Sequence, residues 1–321
     1  MAVTDRTRTV QQDQQDQQDQ QDQQPGTGQG GKTAAGIGVL LALLATVVWS
    51  GSFVATRGMA GSVPPVQAVF WRWIIAAVAV APFAARQAWQ QRALLRRHLG
   101  YVSLATLFGV TLYNTLVHQA GLTTSASNMG MIMAASPVIM ALYARLGGER
   151  LGLRRTFGML LAAFGVLLLV GHGSLGFDFS AGDLWMFGAA LSFASYSALL
   201  KRKPAEIGGL AFLITTFVLG ALMLAPAYAV SVAVQGGFEV RPGTVGPLLY
   251  VGVFSSAVAF FAWNKAVSVI GAARAGVVYY LQPVCVAGLG LLLLGERTGP
   301  AELLSMALIL GGVGLASAAR R

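Results

Sequence analysis

Apolar runs of about twenty residues, the length a helix needs to cross a bilayer, follow one another from Ala34 onward and are separated by short polar breaks. They predict ten membrane-spanning helices, over residues 34–56, 65–85, 100–119, 122–144, 153–171, 182–200, 208–230, 245–264, 270–293 and 300–318. Ahead of them, residues 1–33 contain QQDQQDQQDQQDQQ and then PGTGQGGK, a composition that buries too little apolar surface to fold by itself. This segment is expected to be a disordered tail. It lacks the basic start and short apolar core of a cleaved signal peptide, so it is expected to stay in the cytoplasm.

The pattern also repeats. Gly130 and Pro137 fall on Gly276 and Pro283 at an offset of 146, and Glu149, Arg150 and Gly165 fall on Glu296, Arg297 and Gly312 at 147. Trp49 and Pro82 fall on Phe193 and Pro226 at 144. The chain therefore divides into a first repeat of five spans, residues 34–171, and a second, residues 182–318. An odd number of spans per repeat obliges the second copy to enter the membrane from the opposite face, the arrangement of many secondary transporters. The expected fold is an all-α integral membrane protein with ten transmembrane helices as two inverted five-helix repeats.

Pro137 and Pro283 each interrupt an apolar run. A proline there supplies no N–H and leaves the carbonyl four residues back, that of Met133 or Tyr279, without its helical partner. In hydrocarbon such a carbonyl must be met by protein, by water in a cavity or by something bound. The repeated helix break points to an internal chamber, or to a kink that helps helices pack.

Composition narrows the class. With 55% apolar residues, 11% charged and a mean hydropathy of +0.64, the chain is no water-soluble globule. A net charge of +10 would suggest nucleic acid in a soluble protein. Here the bases flank apolar runs, where they orient the chain in a lipid bilayer, and nucleic acid is not expected as a partner. If both termini are cytoplasmic, 18 of the 22 Lys and Arg fall on the inner side, only Arg57, Arg241 and Arg297 on the outer, and Arg72 within a span. The positive-inside rule selects that orientation. The single cysteine, Cys285, has no intrachain partner, and no metal or cofactor is expected.

Several of these features occur together in an order seen elsewhere. WSGSF (Trp49 to Phe53) ends the first span, Arg72 lies in the second, and a proline-centred fourth span is followed by GER. WNKA (Trp263 to Ala266) then precedes a second proline-centred span followed by GER. In this order, with the duplication, the chain resembles the EamA-type drug/metabolite transporters from residue 35 to residue 318. The resemblance implies ten helices in inverted repeats, spans 1 to 4 and 6 to 9 around a central cavity, and spans 5 and 10 at the periphery. It also implies movement of small metabolites, often outward, among them amino acids, nucleosides and drug-like compounds.

Candidate binding residues follow from which polar and aromatic groups lie inside spans. Arg72 is the one charge clearly within a span, which is costly unless it faces a cavity or a partner. It holds a substrate carboxylate or phosphate, or is a structural arginine held by hydrogen bonds within the protein, or snorkels to the outer surface, with Trp71 and Trp73 as interfacial aromatics. Trp49, Ser50 and Asn114 lie at similar depth and with Arg72 form a possible amphipathic wall. In the second repeat Tyr279, Tyr280 and Gln282 gather before Pro283, with Phe260, Trp263 and Asn264 on the preceding span, and such polar groups in mid-membrane need partners. Met129, Met131 and Met133 are either a yielding surface or core. His118, near the outer end of the third span, is the possible proton-linked group.

No carboxylate is expected in mid-membrane, which disfavours proton coupling through a buried acid. No enzyme is expected, because the sequence groups no nucleophile, base and electrostatic donor. The expected function is export of small amphipathic metabolites, amino acids or related compounds, across the inner membrane by alternating access. The substrate is then the small-molecule partner, with a monomer favoured as the working unit. A proton-coupled polyspecific drug or cation pump and a non-transporting membrane sensor or scaffold are the alternatives.

Overall fold

The computed structural model describes residues 29–134, 136, 138–139, 142–143, 152–170, 180–200 and 202–317. Pro137 and residues 1–28 of the expected tail lie outside the described residues. The described residues contain helices and turns and no strand.

Helix α1 spans Gln29–Gly58, beginning inside the segment expected as tail, and α2 spans Pro65–Gln90. A short α3, Arg92–Arg97, leads into α4, Leu99–Ala120. Then come α5 (Ala126–Ala134), α6 (Leu153–Val170), α7 (Ala181–Leu200) and α8 (Gly209–Gln235). Helix α9, Pro242–Leu249, runs through a wide-turned segment, Tyr250–Val258, into α10, Ala259–Tyr279. Helices α11 (Gln282–Leu294) and α12 (Pro300–Ser317) complete the bundle. Among the described residues, five stretches are long and apolar enough to cross a membrane: Ala34–Gly58, Pro65–Gln90, Leu99–Ala120, Gly209–Gln235 and Pro242–Trp263. Thr156–Leu169, Gln282–Leu294 and Pro300–Leu315 are apolar but shorter.

The outside of the bundle is as apolar as its interior. Leu40, Val78, Phe83 and Leu292 are exposed, while Thr46, Ser50, Gln67, Arg72, Asn114 and Gln282 are buried. In lipid, apolar side chains gain nothing by turning inward, so the interior is left for small residues and polar groups. Small residues accordingly make the closest seams. Ala42 and Ala45 of α1 meet Ala259, Ala262, Ala266 and Ala275 of α10. At the crossing of α6 and α12, Gly165 lies against Leu308 and Ile309, and Gly312 lies against the backbone of Gly158 and Ala162. Helix α2 pairs with α8 through Phe70 stacked on Tyr228, ring centroids 4.2 Å apart. All nine residues of α5 are buried, so Met129, Met131 and Met133 are core.

Two features shape the centre. Trp263 and Tyr279 would stand about 24 Å apart on a straight helix, yet their ring centroids are 5.7 Å apart. The chain therefore folds back between these two residues, and Val269 and Ile270, which lie between them in sequence, pack on Gly38. The second feature is a pair of π-helical segments, Leu107–Leu112 in α4 and Tyr250–Val258 after α9. At the repeat offset of 146, residues 107–112 fall on 253–258. A π turn widens the helix and shifts its carbonyls out of register, and such turns gather at functional sites.

Candidate functional site

The displaced carbonyls of the π segments are claimed by side chains from neighbouring helices. The Ser192 hydroxyl of α7 donates to the carbonyl of Phe108 at 2.7 Å. In the other repeat, Trp49 Nε1 of α1 donates to the carbonyl of Ser255 at 3.0 Å. The hydroxyl of Tyr250 reaches back to the carbonyl of Val48 at 2.7 Å, past the bare Cα of Gly51.

Ser255 is where three helices meet. Its hydroxyl accepts from Arg72 Nη2 at 3.3 Å, while Arg72 Nη1 donates to Ser52 Oγ at 3.3 Å. Arg72 is therefore turned into the bundle, 8% exposed, and does not snorkel. The two ion pairs among the described residues, Arg57 with Glu296 and Arg241 with Glu239, leave it without an acidic partner. Its Nε has no hydrogen-bond partner, and neither has the indole N–H of Trp73. Trp73 is not an interfacial aromatic: it is 5% exposed, packed on Phe217, with the Arg72 guanidinium carbon 5.2 Å from its ring centroid. Trp71 is the more exposed of the two.

Beside Ser255 the rings of Trp49, Trp263 and Tyr279 touch one another, with centroids 5.4, 5.9 and 5.7 Å apart. They form a packed trio that walls one side of the centre. Ser50 donates to the carbonyls of Thr46 at 2.7 Å and Gln282 at 3.3 Å. Gln282 is 2% exposed and its Oε1 is without a partner. Helix α10 ends at Tyr279, a turn covers Tyr280 and Leu281, and Pro283 lies in the first turn of α11. Proline is tolerated there because that turn's N–H groups have no helical acceptor. Tyr280 packs against the large buried cluster that includes Met129, Met131 and Met133. The side chain of Asn264 lies outside the described residues.

Two candidates bond backbone carbonyls of α4, their own helix. The amide of Asn114 donates to the carbonyls of Val110 at 3.1 Å and Gly109 at 3.4 Å, patching the π segment of α4 rather than facing the amphipathic wall. His118 is buried, not at an interface. Its Nδ1 donates to the carbonyl of Asn114 at 2.9 Å, and its Nε2 is 3.5 Å from the Thr56 hydroxyl. A carbonyl only accepts, so the proton sits on Nδ1. Asp183 is in the first turn of α7 and buried. It accepts from Thr124 at 2.7 Å and from the N–H of Ser180 at 3.3 Å, while the Ser180 hydroxyl accepts from the N–H of Asp183.

The sequence does not single out Ser52, Ser255 or Tyr250 as site residues, and it reads Trp73 as an interfacial aromatic. Hydroxyls in apolar runs look like filler in a sequence. The one available signal was that Ser52 belongs to the WSGSF stretch.

An apolar exterior around a buried cation without an acidic partner, an aromatic trio and an amide oxygen without a partner marks a multi-pass membrane protein, and the family it matches makes it a membrane transporter. Comparison agrees. The EamA-like transporter family matches residues 36–171 and again residues 180–318, and the chain belongs to that family. An uncharacterized transporter of Archaeoglobus fulgidus is 26% identical over 264 residues, 80% of this chain and 89% of its own. The uncharacterized transporter YyaM of Bacillus subtilis is 24% identical over 255 residues, covering 77% and 83%. A probable terminal-alkyne amino-acid exporter of Streptantibioticus cattleyicolor is 27% identical over 281 residues, covering 84% and 90%. A protein of known crystal structure shares the fold, with a TM-score of 0.59 and 22% identity over 87% of this chain and 96% of its own.

Proposed function

We propose that this transporter exports small amphipathic metabolites, amino acids or related compounds, across the inner membrane by alternating access. The observation that carries the reading is the convergence of Arg72, Trp49 and Ser255 from three helices. Together with Gln282 they put a charge, aromatic surface and an amide around one buried centre. Aromatic faces with a few polar groups suit small amphipathic ligands. Trp49, Ser50, Arg72, Trp263, Asn264, Tyr279, Tyr280 and Gln282 are the proposed binding set, with Asn114 holding the shape of α4 behind it. The amino-acid exporter among the relatives supports the substrate class.

The alternating mechanism rests on the two repeats. The family pattern occurs twice, and the contacts exchange between the halves. Helix α1 donates to the second π segment and α7 to the first, while Gly165 and Gly312 face each other's helices. Two inverted five-helix halves of this kind reach inward-open and outward-open states by rocking about a site between them. The distribution of Lys and Arg supports cytoplasmic termini, and a monomer suffices as the working unit.

The test is uptake into proteoliposomes of labelled amino acids, nucleosides and cationic dyes, with and without an imposed pH gradient. Saturable movement of amino acids is expected. Dye movement that follows the gradient would replace the reading with a proton-coupled drug pump. Correctly inserted Arg72→Ala and Tyr280→Ala variants that keep the parent rate would remove the site assignment.

A further inference from the structure

We infer that the transported molecule is held by a single carboxylate, received by the free edge of the Arg72 guanidinium and the indole N–H of Trp73. This deepens the transport reading above and rests on it.

The unmet groups on this side of the centre are donors. Two of the three guanidinium nitrogens of Arg72 bond serine hydroxyls, which solvate the charge without cancelling it. The third, Nε, bonds nothing, and the next residue in the chain, Trp73, presents a second unpartnered N–H. The guanidinium carbon lies 5.2 Å from the centroid of that indole, so the two donors belong to one place. Both side chains are more than nine-tenths buried. A buried charge without a counter-charge and a buried donor without an acceptor are each costly. One anion would relieve both.

The geometry and the charge select its type. Nη2 carries two hydrogens and spends one on Ser255, so Nε–H and the remaining Nη2 hydrogen are the donors left for the two oxygens of a carboxylate. Arg72 is the one buried cation among the described residues. It balances one negative charge, and a phosphate dianion would leave a second uncompensated where the dielectric is low. The rings of Trp49, Trp263 and Tyr279, joined to Arg72 through Ser255, provide the apolar wall for the rest of the molecule.

The experiment uses the full chain in proteoliposomes and measures counterflow against matched probes. The twenty amino acids and 3-phenylpropionate form the carboxylate arm. Their methyl esters and 2-phenylethylamine lack the anion, and phenyl phosphate offers a dianion. Esters and amine are expected to compete about 30-fold or more weakly than the acids, the loss of a buried charge-assisted contact. Trp73→Phe keeps an aromatic ring, removes the N–H, and is expected to weaken the acids about tenfold and the esters, whose neutral carbonyl is a poorer acceptor, distinctly less. Arg72→Gln is expected to abolish the preference for acid over ester, and Arg72→Lys to restore part of it, which a merely structural arginine would not do. Saturable transport of esters or amine as effective as that of the acids overturns the carboxylate and leaves the transport reading standing. A preference for phenyl phosphate overturns the single charge. No saturable movement of any probe by the parent, eluting as one folded species, overturns both readings.

Discussion

The indole N–H of Trp49 donates to the backbone carbonyl of Ser255, 3.0 Å away and on the other repeat. That carbonyl lies in the π segment of Tyr250–Val258, out of register with the helix, and Trp49 satisfies it where water would be expensive. The same serine's hydroxyl takes a hydrogen from Arg72, so the indole bond fixes the strand of contacts that positions the guanidinium.

Trp49→Phe removes that donor and keeps most of the ring. Losing one buried hydrogen bond with its acceptor left unpaired costs about 1–3 kcal/mol. The expected outcome is a lower midpoint of thermal unfolding in detergent and reduced transport. Trp49→Ala adds the loss of contacts with Trp263 and Tyr279, for about 3–5 kcal/mol. If Trp49→Phe melts with the parent, the carbonyl of Ser255 is satisfied by something else.

How much of this was legible in the sequence depends on which signal each residue sends. Arg72 announced itself, because a charge in an apolar run has few reasons to be there. Its inward direction did not: a position about 10 Å from a predicted membrane surface allows snorkelling, and only contacts with Ser52 and Ser255 exclude it. The reversal between Trp263 and Tyr279 was legible as the gap between two predicted spans. The π segments were invisible, since hydropathy reports which residues are apolar and not how far a helix is unwound. The contacts of Asn114 and His118 were hidden for a related reason. Their bonds run to carbonyls of their own helix, which no side-chain pattern marks.

The crossing of α6 and α12 gives a cleaner stability test. A Cβ on Gly312 would run into the backbone of Ala162 and lie 2.6 Å from the carbonyl oxygen of Gly158, and backbone cannot swing aside. Gly312→Ala is expected to force the helices apart at a cost of about 1–3 kcal/mol. Gly311→Ala, one residue earlier and with nothing within 4 Å, is expected to be near neutral. Thermal unfolding of both variants in detergent decides it, and equal loss in the two would show that the helices do not cross at Gly312.

His118 was the possible proton-linked group. With its Nδ1 hydrogen on the carbonyl of Asn114 and Nε2 beside Thr56, it ties α4 to α1. His118→Gln is expected to cost stability, about 1 kcal/mol for a lost hydrogen bond, while leaving the response of transport to an imposed pH gradient unchanged. A gradient response present in the parent and absent from His118→Gln would return the residue to a coupling role.

Arg57 and Glu296 close one end of the bundle, and their contacts separate a charge effect from a capping effect. Arg57 Nε is 3.3 Å from Glu296 Oε1, and its Nη1 donates to the carbonyls of Gly121 at 2.8 Å and Leu122 at 3.2 Å. Glu296 Oε2 accepts from the N–H of Ala126 at the start of α5, at 3.0 Å. The arginine side chain is 34% exposed, so the ion pair is screened and contributes about 0.5 kcal/mol. The cap is worth more: an acceptor lost from a helix start costs about 1 kcal/mol. Glu296→Gln removes the charge and keeps an acceptor for Ala126, so it is expected to melt close to the parent, whereas Glu296→Ala is expected to lose about 1.5 kcal/mol. A double-mutant cycle with Arg57→Ala isolates the pair. A coupling energy well above 1 kcal/mol, or Glu296→Gln falling as far as Glu296→Ala, would make the charge rather than the cap the stabilising element at this end.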